Sequence, residues 1–369
     1  MRKSCAVLLL TLFFTGIQAQ NKVNLLVGTY TNSCDSKGIY VYEFDTNSGE
    51  SKLKNTSEST VSPSYLSVSV DNKLVYAVNE NGAESTVSAF GYEPKSGKVT
   101  FLNEQNAMGA DPCYLINDGE NVITANYSGG NISVFKKTAE GISEVKQVIQ
   151  HAGKGVNAQR QEGAHVHMVY FSPDKKYVLS NDLGLDKVFI YNYNPTSKDK
   201  VLTLKGSVDV KAGSGPRHLT FSKDGKFVYL IQELDATLTT FSYDKNGSLK
   251  LIAETSILPK DFKGGTGVAA IKISPDGKFL YVSDRVDANN ISVYKILKNG
   301  NIELQEQVST LGKGPRDFSI DPTGNFLLVG HQYTNNIVVF KRDKVTGKLT
   351  DTGKRIELCA PVCLVFTKI

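Results

Sequence analysis

His167, Arg217 and Arg316 recur at one point of a repeated segment, and Glu233 and Arg285 at a second point in register with it. Imidazole and carboxylate groups move protons. Guanidinium groups grip carboxylate or phosphate in bidentate fashion and stabilise an oxyanion. Burying three such cations with a histidine is costly unless an anion neutralises them. The pattern therefore points to a small anionic ligand. His165 alternates away from His167 along its strand, so it packs or binds substrate at the rim, and His218, which directly follows Arg217, is a further expected substrate contact. One residue before the ends of the second strands come Asp182, Gln232, Asp284 and His331. Polar layers of this kind hold sheets together by hydrogen bonds; substrate contact by Asp182, Gln232 and His331 is the alternative.

Short apolar strands position these residues. A strand opened by a small or turn residue is followed by an Asp-Gly-type turn, a second strand, a gap, and a third strand ending in Phe or Tyr. The clearest copies are Gly215 to Phe241, Gly267 to Tyr294 and Gly314 to Phe340. The turn residues Asp174, Asp224, Asp276 and Thr323 lie 50, 52 and 47 residues apart. Strand repeats of this period predict an all-β, seven-bladed β-propeller with four-stranded blades. Copies begin near Pro63, Pro112, Ala164, Pro216, Gly267, Pro315 and Pro361. The last is cut short after one strand, and its missing strands match Leu25–Tyr30 and Gly38–Tyr42. The two ends of the chain are thus expected to share a blade, which protects the sheet edges.

Hairpin pairing then groups the chemistry. In an antiparallel hairpin, paired positions sum to a constant, and the turn at Gly225 pairs Arg217 with Glu233 at an offset of 16. The same offset joins His167 to Leu183, Ala269 to Arg285 and Arg316 to Gln332. All fall in one layer at the funnel mouth. A polar insert, His151 to Gly163, breaks the repeat; loops this long are often functional.

Composition narrows the remaining classes. The net charge is +5, and removal of residues 1–19, with Arg2 and Lys3, leaves +3. No basic block interleaved with aromatics supports nucleic-acid binding. Arg2 and Lys3, the apolar run Ala6 to Gly16 and the small Ala19 read as a signal peptide, residues 1–19, that exports the chain to the periplasm or beyond. That run is too short to span a bilayer. Of the cysteines left after cleavage, Cys34 meets Cys359 only if the termini meet, while Cys113 and Cys363 read as packing residues. Cysteine spacing fits no zinc motif, and neither a Gly-x-Ser-x-Gly elbow nor a His-Glu-x-x-His pattern occurs. A closed ring is expected to be monomeric.

Gly163-Ala164-His165-Val166-His167, Asn181-Asp182-Leu183-Gly184-Leu185-Asp186 and Gly215-Pro216-Arg217-His218-Leu219 together resemble the lactonase family of seven-bladed propellers, over about Leu25 to Phe366. That family includes bacterial 6-phosphogluconolactonases and fungal carboxymuconate cycloisomerases. The resemblance implies catalytic roles for His167, Arg217, Glu233 and Arg285, and work on lactones without a metal or other cofactor. Hydrolysis of a small anionic sugar lactone is the expected reaction, with His167 favoured as base and Arg316 as a phosphate or supporting contact. Lactone formation from an unsaturated diacid is one rival. An exported carbohydrate- or protein-binding propeller without turnover is another.

Overall fold

Turn chemistry spaces the strands. The Ser222 hydroxyl donates to Asp224 and accepts the Phe227 N–H, while Gly225 takes φ +70°. Ser274, Asp276 and Gly277 repeat the arrangement 52 residues later. Glycine adopts this left-handed conformation without the steric cost a Cβ would bring.

The computed structural model describes residues 21–369; the expected signal peptide lies outside the described residues. The described chain forms seven four-stranded antiparallel sheets. The inner strands are Pro63–Val68, Pro112–Asn117, Val166–Phe171, Pro216–Phe221, Val268–Ile273, Pro315–Ile320 and Pro361–Thr367. Numbering blades one to seven from these strands, blade seven is composite. Its inner strand Pro361–Thr367 pairs with Lys22–Thr29, which leads outward to Ile39–Asp45 and Ser51–Thr56. Leu26 lies opposite Val365 and Val27 opposite Leu364. Cys34 and Cys359 are joined by a disulfide across this seam. Among the described residues no helix is long and apolar enough to cross a membrane.

Blades grip one another through apolar packing and a few directed bonds. Tyr229 of blade four donates its hydroxyl to the Gly300 carbonyl of blade five at 3.0 Å, and Tyr281 of blade five reaches Gly347 of blade six at 2.7 Å. Both tyrosines are buried, so a hydroxyl without a partner there would be costly. Both glycines have positive φ, and a Cβ on either would strike Phe227 or Phe279. A turn glycine therefore serves as the socket for the neighbouring blade's aromatics.

Because the disulfide spans 325 residues of sequence, it constrains the unfolded chain strongly. Cys34→Ser is expected to cost about 2–4 kcal/mol, read as a lower midpoint in denaturant. A midpoint equal to wild type would mean that the closing sheet alone holds the ring.

Candidate active site at the funnel mouth

Every blade builds the mouth of the funnel in the same way. The residue after the second strand donates its backbone N–H to the carbonyl of the residue just before the inner strand. The donors are Tyr30, Glu80, Tyr127, Leu183, Glu233, Arg285 and Gln332; their acceptors are Ala360, Ser62, Asp111, His165, Gly215, Gly267 and Gly314. Next to each clasp the register shifts by a β-bulge. A bulge adds one residue to a strand and re-aims its side chain. The bulge sites hold Ser64, Cys113, His167, Arg217, Ala269, Arg316 and Val362. The direct pairing of Arg217 with Glu233 expected from hairpin symmetry is therefore corrected. Pro216 pairs with Gln232 and His218 with Ile231, leaving Arg217 as the extra residue between them. Its side chain still reaches Glu233, because bulge and clasp sit at one level.

At this level Glu233 is the hub. Its Oε2 accepts from Arg217 Nε at 2.9 Å and lies 3.8 Å from His167 Nε2; its Oε1 accepts from Arg160 Nη2 at 2.7 Å and from Arg285 Nη2 at 3.3 Å. Burial alone would raise the carboxyl, but Arg285, Arg217 and Arg160 outweigh it and hold it at about 2. Burial first, then the charges of Arg217, Arg316 and Arg285, keep His167 well below the ordinary imidazole range, so it is neutral at pH 7. Burial and the Arg285 charge also push Arg217 down, to about 9, against the pull of Glu233; it stays cationic at neutral pH. Across the mouth Arg316 Nη2 lies 3.7 Å from Glu80 Oε1, and its guanidinium sits 5.3 Å over the Tyr30 ring. Ser64 and Tyr30 donate to the same Glu80 carboxylate.

These groups line a cavity of about 340 Å³, bounded by Tyr30, Glu80, Asp111, Cys113, Tyr127, Ser128, Arg160, His167, Glu233, Arg285 and Arg316. That volume lies at the small end of ligand pockets. Of the residues expected from the sequence, His167, Glu233, Arg285 and Arg316 line it. Arg217 lies behind Glu233, fully buried, with Nη1 bonded to the Ala269 carbonyl. His165 stacks on Tyr127 and bonds its carbonyl, just outside the lining. His218 points the other way, into a second cavity with Tyr65, Tyr114, Tyr170 and Lys272. Asp182 accepts from the His165 and Leu185 N–H groups and from His151, and Asp284 accepts from Thr266 and Gly267. Gln232 bonds Thr239, and the His331 ring fills the space a Cβ on Gly312 would need. Asp182 and Gln232 are thus bonded inside the fold and His331 is packed there, all three outside the cavity lining.

Several lining residues escaped the sequence reading. Glu80 stands at the offset of 16 from Ser64, so carrying the pairing into blade one finds it. Tyr127 is hidden by a shorter hairpin, 14 residues from Cys113, and Tyr30 by the break in the composite blade. Arg160 comes from the insert, which has no repeat copy to align. Cys113, read as packing, is buried but also lines the cavity, with Sγ 3.6 Å from His167 Nδ1. Among the described residues no group of three or more His, Cys, Asp or Glu is placed to hold a metal ion.

Comparison with known proteins matches residues 24–366 to the family described as lactonase, 7-bladed beta-propeller. A 6-phosphogluconolactonase of Bacillus subtilis (strain 168) is 35% identical, aligned over 92% of this chain and 97% of its own. A solved protein of Bacteroides fragilis NCTC 9343 superposes with a TM-score of 0.90 at 42% identity, covering 95% of this chain and 99% of that one. The periplasmic gluconolactonase PpgL of Pseudomonas aeruginosa superposes with a TM-score of 0.89 at 34% identity, covering 94% and 99%.

The buried histidines make a stability prediction. His167 and His218 are held well below the usual range, and burial takes His331 to about 4. Unfolded, each binds a proton near pH 6.5, so below that pH the unfolded chain holds more protons and stability falls as pH falls. Glu233 acts later: its contribution is complete above about 4.5 and is lost only as pH drops through about 2. Tm is expected to decline by several degrees between pH 7 and 5, less steeply in His331→Phe. A Tm flat over that range would contradict the neutral burial of these rings.

Proposed function

This chain belongs to the seven-bladed β-propeller lactonase family, and we propose that its funnel-mouth cavity hydrolyses the ring ester of a small anionic sugar lactone, such as 6-phospho-D-glucono-1,5-lactone. It is a carboxylic-ester hydrolase of the lactonase type. The observation that carries the site assignment is a neutral His167 next to an ionised Glu233, in a cavity lined by Arg160, Arg285 and Arg316. With Arg217 behind, four guanidinium groups face the carboxylates Glu80, Asp111 and Glu233. An anionic substrate balances the remaining positive charge.

The proton chemistry follows from the hydrogen bonds around His167. His167 Nδ1 lies 3.6 Å from Cys113 Sγ, and the thiol can donate to the His167 carbonyl at 3.4 Å; the mechanism takes the tautomer in which Nδ1 carries the proton and donates to the sulfur. This tautomer leaves the Nε2 lone pair for water. Water attacks the lactone carbonyl carbon as Nε2 takes its proton. Arg285 stabilises the oxyanion that develops, and Glu233, 3.8 Å from Nε2, stabilises the imidazolium. The ring C–O bond then breaks, and the imidazolium returns its proton to the departing alkoxide. The product is the open-chain hydroxy acid. Glu233 already accepts from Arg217, Arg160 and Arg285, so it is not assigned the water's proton. Its role is to hold Arg285 and the imidazolium in place. Arg217, committed to Glu233 and Ala269, positions that carboxylate.

Export completes the reading. The basic and apolar N-terminus, the disulfide between Cys34 and Cys359 and the periplasmic relative all support a location outside the cytoplasm. The lactone would then be one met there.

A panel of phosphorylated and unphosphorylated sugar lactones, assayed by acid release, tests the assignment. His167→Asn is expected to lower kcat by about 10²–10⁴-fold with the fold retained. A lactone panel left unhydrolysed by the wild type would sink the hydrolase reading. Because His167 stays neutral well below pH 6.5, kcat/KM should remain on its plateau there; an acid limb centred at 6.5 would remove His167 as the base.

A further inference from the structure

We propose that Arg160 is the residue that recognises the anionic substituent of the substrate, a phosphate monoester projecting from the reacting ring. The inference rests on the lactone reading and names the specificity determinant within it.

Arg160 differs from the other three arginines in where it comes from. Arg217 and Arg316 occupy bulges and Arg285 a clasp, all parts of the sevenfold frame. Arg160 arrives on residues 151–165, the longest connection between blades. That connection is pinned on both sides of the arginine. His151 bonds Asp182 and the Tyr191 hydroxyl, each at 2.7 Å. Gln161, fully buried, donates to the Leu183 carbonyl at 2.9 Å and accepts the Asn157 N–H. An anchored loop with a buried glutamine beside the arginine is built to deliver that side chain.

Arg160 also differs in what it gives up when it moves. Its side chain is 44% exposed, against 2% for Arg217, 16% for Arg285 and 14% for Arg316. Only Nη2 is engaged, by Glu233 and the Tyr127 hydroxyl at 3.2 Å; Nε and Nη1 make no hydrogen bond among the described residues. If Arg160 turns toward a ligand, Glu233 keeps both Arg217 and Arg285, so no buried carboxylate is stranded. Neither Arg217 nor Arg285 can leave without stripping Glu233 of a buried partner. Arg160 is therefore the transferable cation: once Nη2 leaves Glu233, its Nε–Nη2 and Nη1–Nη2 edges are available for bidentate phosphate binding.

Position fits this role. The reacting carbonyl belongs beside His167 and Arg285, deep in the cavity. In a sugar-acid 1,5-lactone the exocyclic carbon is carried by C5, which is joined to the carbonyl carbon through the ring oxygen alone, so a phosphate on it lies only a few bonds from the reacting carbonyl. Arg160 meets Arg285 on the same Glu233 oxygen and is the more exposed of the two, so it stands within reach of such a group on the solvent side.

The test is selectivity. The ratio of kcat/KM for 6-phospho-D-glucono-1,5-lactone over D-glucono-1,5-lactone is expected to fall about 10- to 100-fold in Arg160→Ala, mainly through KM. Arg160→Lys should keep part of the preference, since a point charge replaces a fork. A ratio unchanged in Arg160→Ala, with both substrates losing equally, would overturn the inference and leave Arg160 as a support for Glu233. If wild type hydrolyses neither lactone, the hydrolase reading fails separately. Calorimetry with 6-phospho-D-gluconate then decides: affinity weakened tenfold or more by Arg160→Ala upholds the inference, while equal affinity, or no binding to wild type, overturns it.

Discussion

A single buried carboxylate organises this molecule's chemistry. Glu233 is taken out of water at the centre of the ring, and it remains ionised because guanidinium groups from three different parts of the chain converge on it. The dependence is mutual. Without the carboxylate, Arg217 would be a fully buried cation next to Arg285, which the interior does not tolerate. Burial, together with the same field, keeps His167 uncharged. Base, cation and anion are thus set by one electrostatic arrangement.

That arrangement requires side chains from neighbouring blades to meet at one height. The bulge and the clasp provide this. Each clasp fixes where the second strand ends, and each bulge turns one inner-strand residue toward the axis. The backbone does this seven times, irrespective of the residue that occupies the position. Val362 and Ala269 are carried to the same level as His167 and Arg217, although they bring no ionisable group. The frame is regular and the chemistry is local.

This division explains what the sequence made legible. The strands were readable because Ser-x-Asp-Gly turns recur with the same hydrogen bonds, as around Ser222 and Ser274. The grouping of His167, Arg217, Glu233, Arg285 and Arg316 was readable because a constant offset survives the bulge, even though the pairing inferred for Arg217 did not. Asp182, Gln232 and His331 lie one step away from the same level, and position along a strand does not reveal that their side chains turn into the blades. Arg160 was out of reach for a different reason. Its placement depends on Gln161 and His151 docking onto blade three, which are contacts that no repeat encodes.

The composite blade has a consequence for the order of events during biosynthesis. The innermost strand of the sheet that begins with Lys22 is Pro361–Thr367, so the first sheet of the chain is completed by the last strand to be made. Until then, the edge of Lys22–Thr29 stays unpaired and the ring stays open. A nascent chain of this design cannot close its ring prematurely. The cystine at the seam can form only once the two ends of the propeller have met.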